Sequence, residues 1–370
     1  MLIVDAARKR LGILPSGHHS DLVDALNDYP IQTFTYAEPK SENSKGRSLI
    51  TKVRSIKYGR RDIFYVLSWI KRNDIDLVLS LDNNPIVSQL ASLIEIPIVV
   101  VQHGVRRMNP ARGKVNTAKN LIFCSWGELQ VSDAVDNLVP AWPNALHAIS
   151  PSRIVPVGSL RDDLAAWKSV SAEESSPLVK FALCLVSQFK GERPRELHKW
   201  AMRQQAISTV ARWTSDFVRQ HDLKLVVAGY GDTPETVLSE QEWLRQQLDC
   251  KFELLSPRTE VSSHLATEAA TVTVGVHSSV IWETFGRRRR VLSVNPTGEK
   301  EFNFPIPGPW TVQTGQFGEF CRTLESLLEM TDGAYESQIG GFPEQIALFR
   351  PEEPVRERLH QVLNQILSVG

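Results

Sequence analysis

The chain has no surplus of charge. Its 370 residues hold 42 Lys+Arg against 42 Asp+Glu, so any electrostatic patch has to be local. This excludes a global field for nucleic acid, and no nucleic-acid partner is expected. Cysteine is scarce and unpatterned: Cys124, Cys184, Cys250 and Cys321 are far apart and form no C-x-x-C. Three of them sit inside apolar runs, as buried free thiols do, which points to a reducing compartment. No apolar run approaches the roughly 18 residues of a spanning helix. The opening MLIVDAARKRLGILPSG has its short apolar stretch broken by Asp5 and followed by basic residues, the reverse of a signal peptide. The expected location is the cytoplasm, with peripheral contact at the inner face of a membrane left open. No internal repeat of 20–50 residues is present, which excludes solenoids and propellers.

What is present is a globular composition, 42% hydrophobic and 23% charged, in a chain long enough for two domains. Short β-branched or apolar runs alternate with helical patterns. The strand candidates of the first half are 12–15, 31–36, 76–81, 97–102, 120–124 and 153–157, with helices over 21–27, 61–72, 85–93 and 127–137 between them. WKSVSAEESSP, closing at Pro177, is polar and aperiodic and reads as a linker. The alternation then restarts, with strands at 180–186, 223–228, 251–255, 271–276 and 291–294. The organisation is a first domain over 1–166, a linker at 167–178, a second domain over 179–350, and a helix in 351–370 that can pack back on the first. The fold class is α/β, two doubly wound Rossmann-like domains with parallel sheets facing a cleft. Ligands of such sheets bind beyond the carboxyl ends of the strands, so the residues that follow strands are the ones to weigh.

In the first half, Gly17, His18 and His19 follow the first strand, as an anion-cradling loop or a capped turn. Asp82 follows the third, as a cleft carboxylate or a helix-cap carboxylate next to Pro85. Asp74 and Asp76 form a nominal D-x-D, but before that strand, so they read as a solvated turn, and no metal site is assigned. The buried strand Ile96–Val101 runs straight into Gln102, His103, Gly104, Val105, Arg106 and Arg107. An imidazole at a strand end beside a glycine and arginines suits proton transfer near an anionic substrate, or else caps a turn. The sixth strand ends in Gly158, Ser159, Leu160 and Arg161, where glycine permits close backbone approach to a ligand or to a neighbouring strand.

In the second half, Ser187 and Gln188 end the first strand and Gly229 the next. Gly229-Tyr230-Gly231 lacks the third glycine of a dinucleotide fingerprint and the acid that should follow it, which argues against NAD. Ser256 follows the third strand, where exposed backbone can read a base edge. The strongest constellation follows: Gly275 and His277 close a buried strand, and Ser278 and Ser279 open a helix whose free N–H groups favour a phosphate. Glu283 lies one turn beyond Ser279 on the same face, placed for ribose hydroxyls or else on an exposed flank. Arg287 to Arg290 read as a solvated helix end.

Three segments resemble the GT-B glycosyltransferase superfamily, and especially the cytoplasmic transferases of bacterial surface polysaccharide synthesis: VVVQHGVRR at 99–107, VPVGSLRDD at 155–163 and VGVHSSVIWETFGRRRRVLSV at 274–294. Capsule and Kdo-type transferases and the CDP-glycerol glycerophosphotransferases belong to that group. The resemblance implies a GT-B-like fold with His103 as general base, Gly158, Ser159 and Arg161 near the interdomain cleft, and His277, Ser278, Ser279 and Glu283 on the donor. Position after the strands adds Asp82 and His18 as further catalytic candidates, Gly17, Gly104 and Arg106 at the cleft, and Ser187, Gln188, Gly229, Ser256 and Gly275 at the donor. The glycerophosphotransferases carry an acidic and aromatic pair before the two serines, where this chain has Val276-His277, which favours a sugar nucleotide.

The resulting expectation is metal-independent transfer of a sugar from a UDP- or CMP-sugar to a carbohydrate or lipid-linked carbohydrate acceptor, with no cofactor because the nucleotide-sugar is a substrate. The rivals are a CDP-glycerol-type phosphotransferase, a UDP-sugar 2-epimerase and a non-catalytic scaffold.

Overall fold

A computed structural model describes residues 11–14, 31–33, 63–81, 87–104, 108–110, 116–129, 138–140, 149–162, 181–189, 198–256 and 262–369. The chain divides into two compact units, 1–160 together with 350–370, and 161–349.

The sheet of the first unit is wholly parallel. Its strands are β1 (Leu11–Leu14), β2 (Ile31–Thr33), β3 (Leu77–Leu81), β4 (Ile98–Val101), β6 (Asn116–Ser125) and β8 (Ile149–Pro156), in the order β2-β1-β3-β4-β6-β8. The short strands β5 (Met108–Pro110) and β7 (Leu138–Pro140) pair antiparallel beside it. Helix α1 covers 63–72 and α2 covers Val87–Leu90. The apolar sequences of β3, interrupted only by buried Ser80, and of β4 reflect burial on both faces. Because strand side chains alternate, Val99 and Val101 point into one core cluster, whereas Ile98 and Val100 point into another with Ile63, Val66 and Ile70 of α1.

The second unit repeats the plan with β9 (Phe181–Val186), β10 (Leu225–Ala228), β11 (Phe252–Leu255), β12 (Ala270–Gly275), β13 (Val291–Val294) and β14 (Thr311–Val312), in the parallel order β11-β10-β9-β12-β13-β14. Its helices are α3 (His198–Gln220), α4 (Pro234–Gln247), α5 (Ser262–Glu268), α6 (Ser279–Gly286), α7 (Phe317–Glu329), α8 (Asp332–Ile339) and α9 (Phe342–Ile346). Strand order reverses between β9 and β12, so the loops leaving these neighbours diverge and open a crevice within this unit.

The last helix, α10 (Val355–Val369), returns to the first unit. Val355, Leu359, Val362 and Leu363 cover the face of the sheet that carries Leu77, Leu79, Val99 and Val101. Buried Arg358 donates from Nε to the carbonyl of Val157 at 2.8 Å. The strands read from the sequence, and the helices that fall on described residues, agree with this architecture to within a few residues; the helix expected over 21–27 and most of that over 127–137 lie outside the described residues. The antiparallel pair β5/β7, the two-residue β14 and the helices α7 to α9 had no counterpart in that reading. The linker region 167–178 lies outside the described residues.

Candidate functional site

Of the positions singled out by sequence, Gly17, His18, Asp82 and Arg106 lie outside the described residues. His103 follows β4 directly and is half-buried. Its loop is braced by Gln102, which is buried and donates from Nε2 to the Gly104 carbonyl at 2.9 Å. Gln102 also accepts the Trp126 backbone N–H at 2.8 Å, while the Trp126 indole donates to the Gln102 carbonyl at 2.9 Å. Two of these hydrogen bonds tie Gln102 to the residue that follows β6, and the third spans His103 within its own loop. Gly158 sits at φ +95°, a left-handed conformation that costs other residues energy. Ser159, next to it, is buried, and Arg161 is half-buried.

The richer site is the crevice between β9 and β12. Gln188 leaves β9, is 5% exposed, and donates from Nε2 to the carbonyl of His277 at 2.8 Å. Arg203, in the first turns of α3, donates from Nη2 to the same carbonyl at 3.3 Å. His277 is half-buried, with its ring edge-on to Trp282. Ser278 is the N-cap of α6, but its hydroxyl makes no capping hydrogen bond. The first turn of α6 therefore opens beside a guanidinium for which no carboxylate partner exists among the described residues. Burial holds the Arg203 pKa below its ordinary value, with the Tyr230 phenol opposing. A cation half-withdrawn from water, with no counter-ion among the described residues, beside the positive end of a helix, is set up to receive an anion. Gly275 ends β12 against Val186 of β9, and added side-chain bulk there would press on Val186 and Ile281.

A second buried network shapes the β9 and β10 loops. Glu240 of α4 is fully buried and accepts from the backbone N–H of Tyr230 at 2.8 Å and of Gly231 at 2.8 Å, and from the Ser187 hydroxyl. Ser187, expected on the donor, is thus committed inside the protein. Gly229 donates to the Leu255 carbonyl at 3.1 Å, and a side chain there would come within 3.0 Å of that oxygen and of Ser256 Cβ. Close packing of two strand ends is the reason for this glycine. Ser256 is half-buried, with its hydroxyl 3.5 Å from the Gly231 carbonyl.

Glu283 requires a correction. Its spacing from Ser279 suggested ribose contact or an exposed flank, but every residue of α6 from Val280 to Gly286 is buried, so the helix has no solvent face on which to place a carboxylate. Glu283 instead lies 3.8 Å from His264 Nε2, which is also 3.6 Å from Asp162. Asp162 pairs at 2.5 Å with Arg287, which follows α6 and also contacts Glu268 at 3.0 Å and the hydroxyls of Thr267 and Thr284. Burial lowers the Arg287 pKa, yet Asp162, Glu268 and Glu283 together carry it above its usual value. Burial and the Arg287 charge push His264 down to about 3, so it is neutral. The arginine run is likewise not a free cationic surface: Arg288 pairs with Glu336, Arg289 with Glu268 and Arg290 with Asp332. Only Arg287 is buried, the opposite of a solvated helix end.

Arg203, Glu240, His264 and Asp162 were missed by sequence reasoning. Each meets its partner only through the fold; 74 residues separate Arg203 from His277, and 125 separate Asp162 from Arg287. Among the described residues no three His, Cys, Asp or Glu are grouped as a metal ion would need, and no helix is long and apolar enough to cross a membrane.

No protein-family model and no curated protein sequence matches the chain. Solved structures do. The S. aureus MnaA-UDP co-structure shares 13% identity over 98% of both chains, with a TM-score of 0.57. The Neisseria meningitidis UDP-GlcNAc 2-epimerase bound to UDP-GlcNAc shares 10% over 97% of this chain and 100% of that one, at 0.56. Sucrose-phosphate synthase from Thermosynechococcus elongatus shares 12% over 98% and 100%, also at 0.56. At these identities the likeness establishes the fold: an α/β protein with two doubly wound parallel sheets, similar to GT-B glycosyltransferase-fold proteins.

Proposed function

We propose that the β9/β12 crevice binds the diphosphate of a nucleotide-sugar, and that the chain transfers the sugar to a surface-polysaccharide acceptor, free or lipid-linked. The observation that carries the first half is Arg203: a half-buried guanidinium with no carboxylate partner among the described residues, sharing the His277 carbonyl with Gln188 at the opening of α6. Free N–H groups of the first turn, the Ser278 hydroxyl and Arg203 would hold the phosphate oxygens. The same groups would stabilise charge growing on the leaving diphosphate, the electrostatic effect that dominates many transfer reactions. In the transfer, an acceptor oxygen bonds to the anomeric carbon, the bond to the diphosphate breaks with its electron pair leaving on the nucleotide, and the acceptor proton passes to a base. His103 is the base in this reading, because its loop is held rigidly at a strand end. The reaction as written uses no metal and no cofactor.

A second reading has its own support. Structures of UDP-GlcNAc 2-epimerases from Neisseria meningitidis and Methanocaldococcus jannaschii match this chain over 97% and 96% of its length. An epimerase would use the same nucleotide site and need no acceptor. One experiment separates the readings. The chain is incubated with UDP-GlcNAc, with and without carbohydrate acceptors, while free UDP and the configuration at C2 of the sugar are followed. Acceptor-dependent UDP release supports transfer, and inversion at C2 without acceptor supports epimerisation. Release of CMP from CDP-glycerol would move the assignment to phosphotransfer. No turnover of any of these substrates, or of a CMP-sugar, would leave a scaffold.

A further inference from the structure

We infer that Gln188 selects ligands that carry a hydrogen-bond donor, a hydroxyl or an amide N–H, immediately beside the diphosphate. The inference rests on the diphosphate reading of the β9/β12 crevice and adds a group that an anion alone does not satisfy. Gln188 is 5% exposed, and its amide can be oriented in only one way. The His277 carbonyl is an acceptor, so the atom that meets it at 2.8 Å is the amide nitrogen, which leaves Oε1 turned away from it. That oxygen is buried and accepts no hydrogen bond among the described residues. Buried polar atoms of folded proteins nearly always have a partner, so this acceptor calls for a donor from outside the chain.

The surroundings hold the side chain in place. Just before it, the Ser187 hydroxyl donates to Glu240; just after it, Phe189 stacks on Trp243 of α4 with ring centroids 5.4 Å apart. Gln188 is thus fixed on both sides and at its tip, as a recognition group has to be. Bracing the His277 loop needs only Nε2 and gives Oε1 no use. The chemistry of the crevice decides what meets that oxygen. Arg203 and the free N–H groups of α6 are donors and suit phosphate oxygens. Gln188 Oε1 is an acceptor close beside them, because its own amide shares the His277 carbonyl with Arg203. The diphosphate bridge of a nucleotide-sugar is fully ionised at neutral pH and has no O–H to give, so the donor belongs to a neighbouring part of the ligand. Two parts adjoin the bridge: the ribose, with its 2′ and 3′ hydroxyls, and the sugar, with a hydroxyl or acetamido N–H at C2. Both offer the same chemistry, and the test tells them apart.

Dissociation constants are measured by calorimetry for UDP, 2′-deoxy-UDP and 3′-deoxy-UDP, and for UDP-GlcNAc, UDP-glucose and UDP-2-deoxyglucose. The full chain is used as wild type, Gln188→Met and Gln188→Lys. Both substitutions remove the acceptor, and lysine keeps a donor for the His277 carbonyl. The wild type should bind one of the deoxy ligands about fivefold more weakly than its parent, the effect of one hydrogen bond. Both variants should bind that ligand and its parent equally, as coupled partners do. A loss at the ribose assigns the donor to the nucleoside, and a loss at C2 assigns it to the sugar. A wild type indifferent to all three deoxy ligands overturns the inference without any variant. A wild-type preference that survives both substitutions overturns it as well. In both cases UDP binding that depends on Arg203 leaves the diphosphate reading standing, whereas a wild type that binds no UDP ends that reading and this inference together.

Discussion

The two ends of α6 each carry a withdrawn arginine, and the two are treated in opposite ways. Arg287, at the C-terminal end, is enclosed by Asp162, Glu268 and Glu283, and its charge is held more firmly than in water. It also sits at the negative end of the helix dipole. Arg203, at the N-terminal end, has a carbonyl for a partner and no carboxylate among the described residues; burial weakens its hold on the proton. A cation with several anions fixes the fold, whereas a cation with none among the described residues, beside the positive end of a helix, is placed to meet an anion. The difference separates the staple of the second unit from its proposed binding site.

The comparison yields predictions of decreasing size. Arg287→Met removes the counter-charge of buried Asp162 and should lower unfolding free energy by about 3–5 kcal/mol, read by urea denaturation. The UDP affinity of the protein that remains folded should change little; a large loss of affinity would mean that the two ends are one site. Next comes pH. The unfolded state takes up a proton on His264 near its ordinary value of 6.5, while the folded state refuses it until about 3. Stability contributed by this group is therefore present above about pH 6.5 and lost as the pH falls towards 3. The urea midpoint should drop through that window in the wild type and less steeply in His264→Gln; parallel curves would remove the buried histidine from the staple. The smallest effect belongs to Ser278→Ala, which should weaken UDP binding about fivefold, the worth of one hydrogen bond of about 1 kcal/mol. It should leave the ligand-free melting temperature unchanged, because no cap is lost.

The alternation of strands and helices was legible because buried parallel strands such as Leu77–Leu81 and Ile98–Val101 are predominantly apolar runs bounded by turns. The loop at His277 and Ser278 was legible for the same reason, since a strand, two hydroxyls and a helix follow in order. Glu283 was misplaced because an i, i+4 argument assumes that a helix has an outer face, and α6 is enclosed on all sides. Ser187 looked like a ligand because nothing near it in sequence announces Glu240, its acceptor in another helix. Arg203 gave no signal at all within HKWAMRQQ: its meaning depends on meeting a carbonyl and no carboxylate among the described residues, which only the assembled fold discloses.

The decisive measurement is a calorimetric titration of UDP, and of uridine as a control, into the wild type and Arg203→Ala. If the crevice is an anion site, the wild type binds UDP well above uridine. Loss of the charge-assisted contact, about 1.5–3 kcal/mol, should then weaken UDP about tenfold or more. Uridine binding and ligand-free stability should stay unchanged. Equal UDP affinity in wild type and variant would contradict the assignment of this crevice to the nucleotide diphosphate.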